Sequence, residues 1–159
     1  MKTKIEFKDH SDEVKKMAES LAIAWLHEAA GELQAQVKKN TAVDHSDTKK
    51  SWDYAVDNDK LEANIGSSFE NAIWEEFGTG EYALNGDGRK TPWYVPVEEY
   101  TGKKKPTYNG KVVIVYGKNG VKYYKTNGKK PKRAFHNAYT RLKPKLIKKA
   151  QSMFNKGLK

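Results

Sequence analysis

Cysteine is absent from the chain, which excludes a disulfide framework, thiolate-zinc sites and thiol catalysis and fits a reducing compartment. No stretch approaches the ~20 consecutive apolar residues that cross a bilayer, and the first six residues lack the apolar run of a signal peptide. The mature chain is therefore expected to be soluble, to begin at Met1 and to have no membrane partner. Histidine is scarce, and His10, His27, His45 and His136 never pair at the three- or four-residue spacing that sets two imidazoles on one helical face.

Catalytic signatures are also missing. Asp44-His45-Ser46 holds triad residue types, but triads are assembled across a fold and consecutive loop side chains rarely meet their geometry. The adjacent pairs Glu75-Glu76 and Glu98-Glu99 diverge on a helix or strand and do not face one substrate. Gly78-Thr79-Gly80 and Gly86-Asp87-Gly88 are too short for a phosphate loop and lack its Lys-Ser/Thr. No catalytic residue, cofactor or metal site is expected, and the chain reads as a binding or structural protein rather than an enzyme.

The last absence is acid. The net charge of +10 conceals 12 Lys/Arg against 20 Asp/Glu up to residue 100, then 18 Lys/Arg and no carboxylate side chain in residues 101–159. Such a split implies an acidic partner, self-association through unlike surfaces, or two halves that neutralise each other within one fold. In the basic third, Lys neutralises phosphates and Tyr108, Tyr116, Tyr123 and Tyr124 offer rings for stacking. Lys suits non-specific backbone attraction better than base readout. Non-specific DNA binding through this third is the alternative function.

What is present builds one α+β domain over residues 1–159. Ser11, the acidic Asp12-Glu13 and the closing Lys38-Lys39-Asn40 bracket a helix over about 12–39, with a left-handed cap at its end. Its apolar residues form two stripes, Val14, Met17, Leu21, Trp25 and Ile23, Leu26, Ala30, Leu33, Val37. Either both stripes pack within the chain, one on a sheet and one on a helix, or the second meets a neighbouring subunit. The first reading is preferred, with Ile23, Leu26, Leu33 and Val37 as candidate interface residues under the second.

Residues 41–50 read as a polar turn. Trp52, Tyr54 and Val56 alternate as a half-buried strand, Asn58-Asp59 turns the chain, and Leu61, Ala63 and Ile65 return. Ser67 or Ser68 caps a short helix that runs to Phe77 and stops at Gly78-Thr79-Gly80. Residues 81–110, with Pro92, Pro96 and Pro106, read as a long mobile loop. Within it the aromatic island at Trp93 and Tyr94 seeks a surface on its own core or on a neighbour. A hairpin joins residues 112–116 to 121–126 across Gly117-Lys118-Asn119-Gly120. A closing helix carries Phe135, Ala138, Leu142 and Leu146 on one face, with Pro131 near its start and a kink or break expected at Pro144. The expected architecture is an antiparallel sheet of about four strands packed against the long N-terminal helix and the C-terminal helix.

Three islands resemble the head-tail joining, or tail-completion, proteins of long-tailed bacteriophages, the gene product ten-like family. The first runs from Val43-Asp44-His45-Ser46 to Ser51 and keeps Val43, Asp44 and Ser51 of that family's turn motif. The second, Ala72-Ile73-Trp74-Glu75-Glu76-Phe77-Gly78-Thr79-Gly80, resembles its E-F-G-T-G signature through Glu76, Phe77, Gly78, Thr79 and Gly80, with Glu75 where the family has an apolar residue. The third, Pro131 to Phe135 and the helix after it, resembles the closing segment. Phe77 is read as a core anchor, and Gly78 and Gly80 as the backbone reversal.

The resemblance implies a non-catalytic virion component, made in the bacterial host cytoplasm and placed at the head-tail interface. It implies self-association into a ring, usually hexameric in related phages. The other implied partners are the head connector and the tail tube or tail terminator proteins, with DNA passing through the ring.

Overall fold

The computed structural model describes residues 8–41 and 46–158. The chain runs α1 (Ser11–Asn40), α2 (Ser46–Lys50), β1 (Trp52–Asp57), β2 (Glu62–Ser67), α3 (Asn71–Phe77), a 3-10 turn at Gly80–Tyr82, β3 (Trp93–Pro96), β4 (Val113–Tyr116), β5 (Lys122–Thr126) and α4 (Ala134–Gly157). The α+β class and the two long helices are as expected. The strands, however, form two antiparallel sheets: the β1–β2 hairpin, and a three-stranded sheet ordered β3-β5-β4. The extra strand, β3, is the aromatic island itself, lying inside the stretch read as a loop and paired with β5 from Trp93 opposite Thr126 to Pro96 opposite Tyr123.

The core forms where α1 crosses the β1–β2 hairpin and α4 runs beside it. Leu33 and Val37 of α1 meet Trp52, Ala72 and Ala138, and Ile65, Phe135 and Leu142 close the cluster at its edge. Val37 and Ala138 are fully buried; burying such a side chain stabilises a fold by roughly 1.5–3 kcal/mol for the larger aliphatics. The hairpin register puts Trp52, Tyr54 and Val56 opposite Ser67, Ile65 and Ala63, so the alternation seen in the sequence is the alternation of burial. Polar contacts fix the crossing: Gln34 Nε2 donates to the Trp52 carbonyl at 3.0 Å, and Trp25 Nε1 donates to the Leu146 carbonyl at 3.1 Å.

Several expectations change. Val14 and Met17, read as core-facing, are 51% and 49% exposed, because α4 ends against Leu21 and, among the described residues, nothing covers the first turns of α1. Leu33 and Val37 are core residues and present no surface to a neighbour, while Ile23 and Leu26 are half-buried. The α1 terminus is not left-handed: Thr41 is extended and its N–H donates to the Val37 carbonyl at 2.9 Å. Part of the polar turn is helical, as α2, and Leu61 adopts a positive φ in the turn, ahead of β2 rather than inside it. α4 continues through Pro144 without a break, its packing along α1 holding the helix across the missing hydrogen bond.

Candidate functional site

The E-F-G-T-G segment leaves α3 and immediately meets the chain that leaves β5. Thr79 N–H donates to the Lys129 carbonyl at 2.9 Å, Lys129 N–H donates back to Thr79 Oγ1 at 3.0 Å, and Glu81 N–H donates to the Asn127 carbonyl at 3.0 Å. Two backbones this close leave no room for side chains. A Cβ on Gly80 would lie 2.3 Å from the Asn127 carbonyl oxygen, and one on Gly128 would lie 2.1 Å from the Thr79 carbonyl oxygen. Both glycines also hold positive φ, 61° and 123°. Asn127 is buried at the centre of this knot, donating through Nδ2 to Glu81 Oε2 at 2.7 Å and to Asn109 Oδ1 at 3.1 Å. Through it the three-stranded sheet is fastened to the helical core.

The two glutamates before the glycines do different work. Glu76 reaches across 59 residues of sequence to accept the Phe135 N–H at 2.8 Å, and its other oxygen accepts the His136 N–H at 2.9 Å. These are free amides of the first turn of α4, whose cap residue Arg133 is left-handed and makes no side-chain cap bond. Glu76 is thus a remote cap, and it brings negative charge to the positive end of the helix dipole. Glu75 is buried and its carboxylate takes Lys129 Nζ at 3.0 Å and Lys132 Nζ at 3.3 Å. The glutamate that departs from the family pattern is therefore compensated by lysines of the basic third.

Phe77 is not a core anchor. It is 46% exposed, and Ile73, Trp74 and Leu84 around it are 62%, 47% and 48% exposed. A groove of about 350 Å³ lies between this patch and α4, floored by Trp52 and Phe135 and edged by Tyr139, with Glu76, Arg133 and His136 as its polar wall. Phe135 stacks between Trp52, at 6.0 Å, and Tyr139, at 6.5 Å. Pro131 is half-buried beside Gly78, its Cδ in contact distance of that residue. Ser51 donates from Oγ to the Thr48 carbonyl at 2.9 Å and meets Ser67 Oγ at 2.6 Å, tying α2 to β2. Ser67 also accepts the Phe69 N–H ahead of α3, although α3 itself has no side-chain cap. Trp93 rests on Gly80, and Tyr94 is 53% exposed on the far sheet. Val43, Asp44 and His45 lie outside the described residues. Nothing in the local sequence announced Asn127 or the capping by Glu76, since both act on partners distant in sequence.

The charge split is partly internal. On the α1–α4 seam, Lys145 and Lys149 reach Glu32 at 3.1 and 2.9 Å, and Lys149 also pairs with Glu28. The lysine hydrogen bonds, Lys149 first, hold the Glu32 carboxyl below the usual glutamate range, and Glu28 and Glu32 in turn raise the Lys149 ammonium. Among the described residues no group of His, Asp and Glu is arranged to hold a metal ion, and no helix is long and apolar enough to cross a membrane.

Contiguous apolar surface such as that around Phe77 is characteristic of interaction sites. Residues 5–78 match the family model described as "Bacteriophage HK97-gp10, putative tail-component", the same family that the three islands resemble. The match takes in the first island and ends inside E-F-G-T-G, and it points the chain to the structural components of the phage tail rather than to an enzyme class. No curated protein and no solved structure matches the chain.

Proposed function

We propose that the chain is a non-enzymatic ring subunit that completes the phage tail and joins it to the head connector, within the virion at the head-tail interface. The family match over residues 5–78 carries this reading. Two unlike apolar surfaces support it. One is the Ile73, Trp74, Phe77, Leu84 patch; the other is the start of α1, where Val14 and Met17 are exposed among the described residues. A ring is closed by head-to-tail contacts between different surfaces of identical subunits, which two such patches can provide. In this reading the motif residues Glu76, Gly78, Thr79, Gly80, Pro131 and Phe135 hold α3 and α4 in the relation that presents the patch, with Ser51 tying α2 to β2. Tyr94 adds exposed aromatic surface on the second sheet.

The test is the mass of the parent chain in solution, by native mass spectrometry, alone and mixed with the connector and tail-tube or terminator proteins encoded beside it. Self-association or a stable complex is expected. Trp74→Ser with Phe77→Ser should weaken it while leaving the far-ultraviolet circular dichroism unchanged. In the phage, deletion of the gene should leave unjoined heads and tails. A chain that stays monomeric and binds neither neighbour overturns the reading.

A further inference from the structure

The ion pairs sort the basic third into two populations. Lys129, Lys132, Lys145 and Lys149 are matched to Glu75, Glu28 and Glu32. The lysines on the three-stranded sheet and its flanking loop, at 103–105, 111, 118, 122 and 125, make no ion pair among the described residues, and all but Lys125 are exposed. These residues make one lobe rich in unpaired lysine; a second unpaired group, Lys130, Arg133, Arg141, Lys143, Lys148 and Lys156, lies between β5 and α4 and along α4. The sheet lobe stands apart from the helical core, to which the 79–81 and 127–129 backbones fasten it. Its edge strand β4 joins β5 in a hairpin, with Lys118 in the turn and Lys122 beside it on β5.

We propose that this lobe, led by the β4–β5 hairpin, docks against the phosphate backbone of duplex DNA. Charge complementarity selects the class of partner: lysines placed as unpaired point charges gain from releasing the counterions condensed on a polyanion. Charge density argues for duplex over single strand, since a duplex carries the phosphates of two strands along one axis. Lys125 Nζ sits 4.0 Å from the Tyr108 ring centroid and Lys122 Nζ 5.9 Å from that of Tyr116, while Tyr124 is buried with Tyr100 edge-on to it. Tyr116 and Tyr94 are 71% and 53% exposed, so stacking of unpaired bases on them is the competing mode that the single-strand competition below separates. Lysine also reads no base sequence well, so the contact is non-specific. Such docking follows from the charge distribution and does not depend on ring formation.

Fluorescence anisotropy with a labelled mixed-sequence duplex of about 25 base pairs, between about 50 and 200 mM NaCl, tests it. Binding is expected to weaken steeply with salt. Lys111→Gln, Lys118→Gln and Lys122→Gln together should reduce affinity at least about tenfold at about 100 mM salt, and reduce the logarithmic salt slope by about one for each phosphate no longer neutralised. The control removes equal charge from the exposed side of α4, with Arg141→Gln, Lys148→Gln and Lys156→Gln, and should cost much less. Circular dichroism and native mass of both variants confirm that fold and association are unchanged. An unlabelled single strand of equal length should compete less well than the duplex. No duplex binding at low salt overturns the proposal and leaves an acidic protein surface as the lobe's occupant. Equal losses in the two triple variants also overturn it, since net charge alone would then account for binding. Neither result touches the native-mass test of self-association.

Discussion

Removing the Glu76 carboxylate isolates one long-range interaction. In Glu76→Ala the Phe135 and His136 amides lose their acceptor, and α4 has no acidic residue in its first turn to replace the missing charge. Loss of an N-cap costs about 0.5–2 kcal/mol, and loss of a negative charge at a helix N-terminus about 0.3–1 kcal/mol. Because Glu76 is half-buried, screening is incomplete and we expect about 2 kcal/mol. Glu76→Gln keeps an oxygen acceptor without the charge and should lose about half as much. Glu76→Asp keeps the charge but falls about one methylene short, and should resemble Ala. With a urea m-value of about 2 kcal/mol/M for a chain of this size, the Ala variant should move the midpoint down by about 1 M. Circular dichroism and tryptophan fluorescence read this, at one fixed protein concentration because self-association shifts apparent stability. A Glu76→Ala stability within about 0.5 kcal/mol of the parent refutes the capping role, and equal losses in Gln and Ala refute the electrostatic share.

Gly80→Ala should cost about 2–4 kcal/mol in the same assay, from its positive φ and from overlap with the Asn127 carbonyl; a neutral result would mean that the two backbones are not held together. Leu33→Ala should lose about 2–5 kcal/mol as a core cavity, whereas Met17→Ala should stay within about 0.5 kcal/mol in the monomer. On the α1–α4 seam the lowered Glu32 contributes stability above the ordinary glutamate range, and this is lost as pH falls through its folded value. The raised Lys149 contributes stability below the ordinary lysine range, and this is lost as pH rises through its folded value. Glu32→Gln should therefore flatten the acid limb of the stability profile, an effect that shrinks in high salt because the pair is partly exposed; an unchanged acid limb would count against the seam.

The elements that repeat along the chain were legible from it. The α1 period, the alternation in β1 and β2, the Gly117–Gly120 turn and the α4 face are local patterns, and local backbone geometry obeys them. E-F-G-T-G was legible as a motif and as a helix end. Its meaning was not: the sequence suggested a buried Phe77, and the fold exposes Phe77 while the glycines allow the 127–129 backbone to approach.

Amphipathic spacing says which side chains share a face, but not how far along a helix a partner extends, so Val14 and Leu33 looked alike until α4 was seen to stop at Leu21. The aromatic island at Trp93 became a strand only because β5 supplies its hydrogen bonds. By itself the sequence determined the number and kind of long elements, the lack of local catalytic signatures and the separation of charge into two segments. Tertiary structure alone decided which charges cancel. Coulombic pairing depends on distances of a few ångströms between residues far apart in the chain, so only the fold shows that Lys145 and Lys149 of α4 pair with Glu28 and Glu32 of α1, while Lys118 and Lys122 of the β4–β5 hairpin make no ion pair among the described residues.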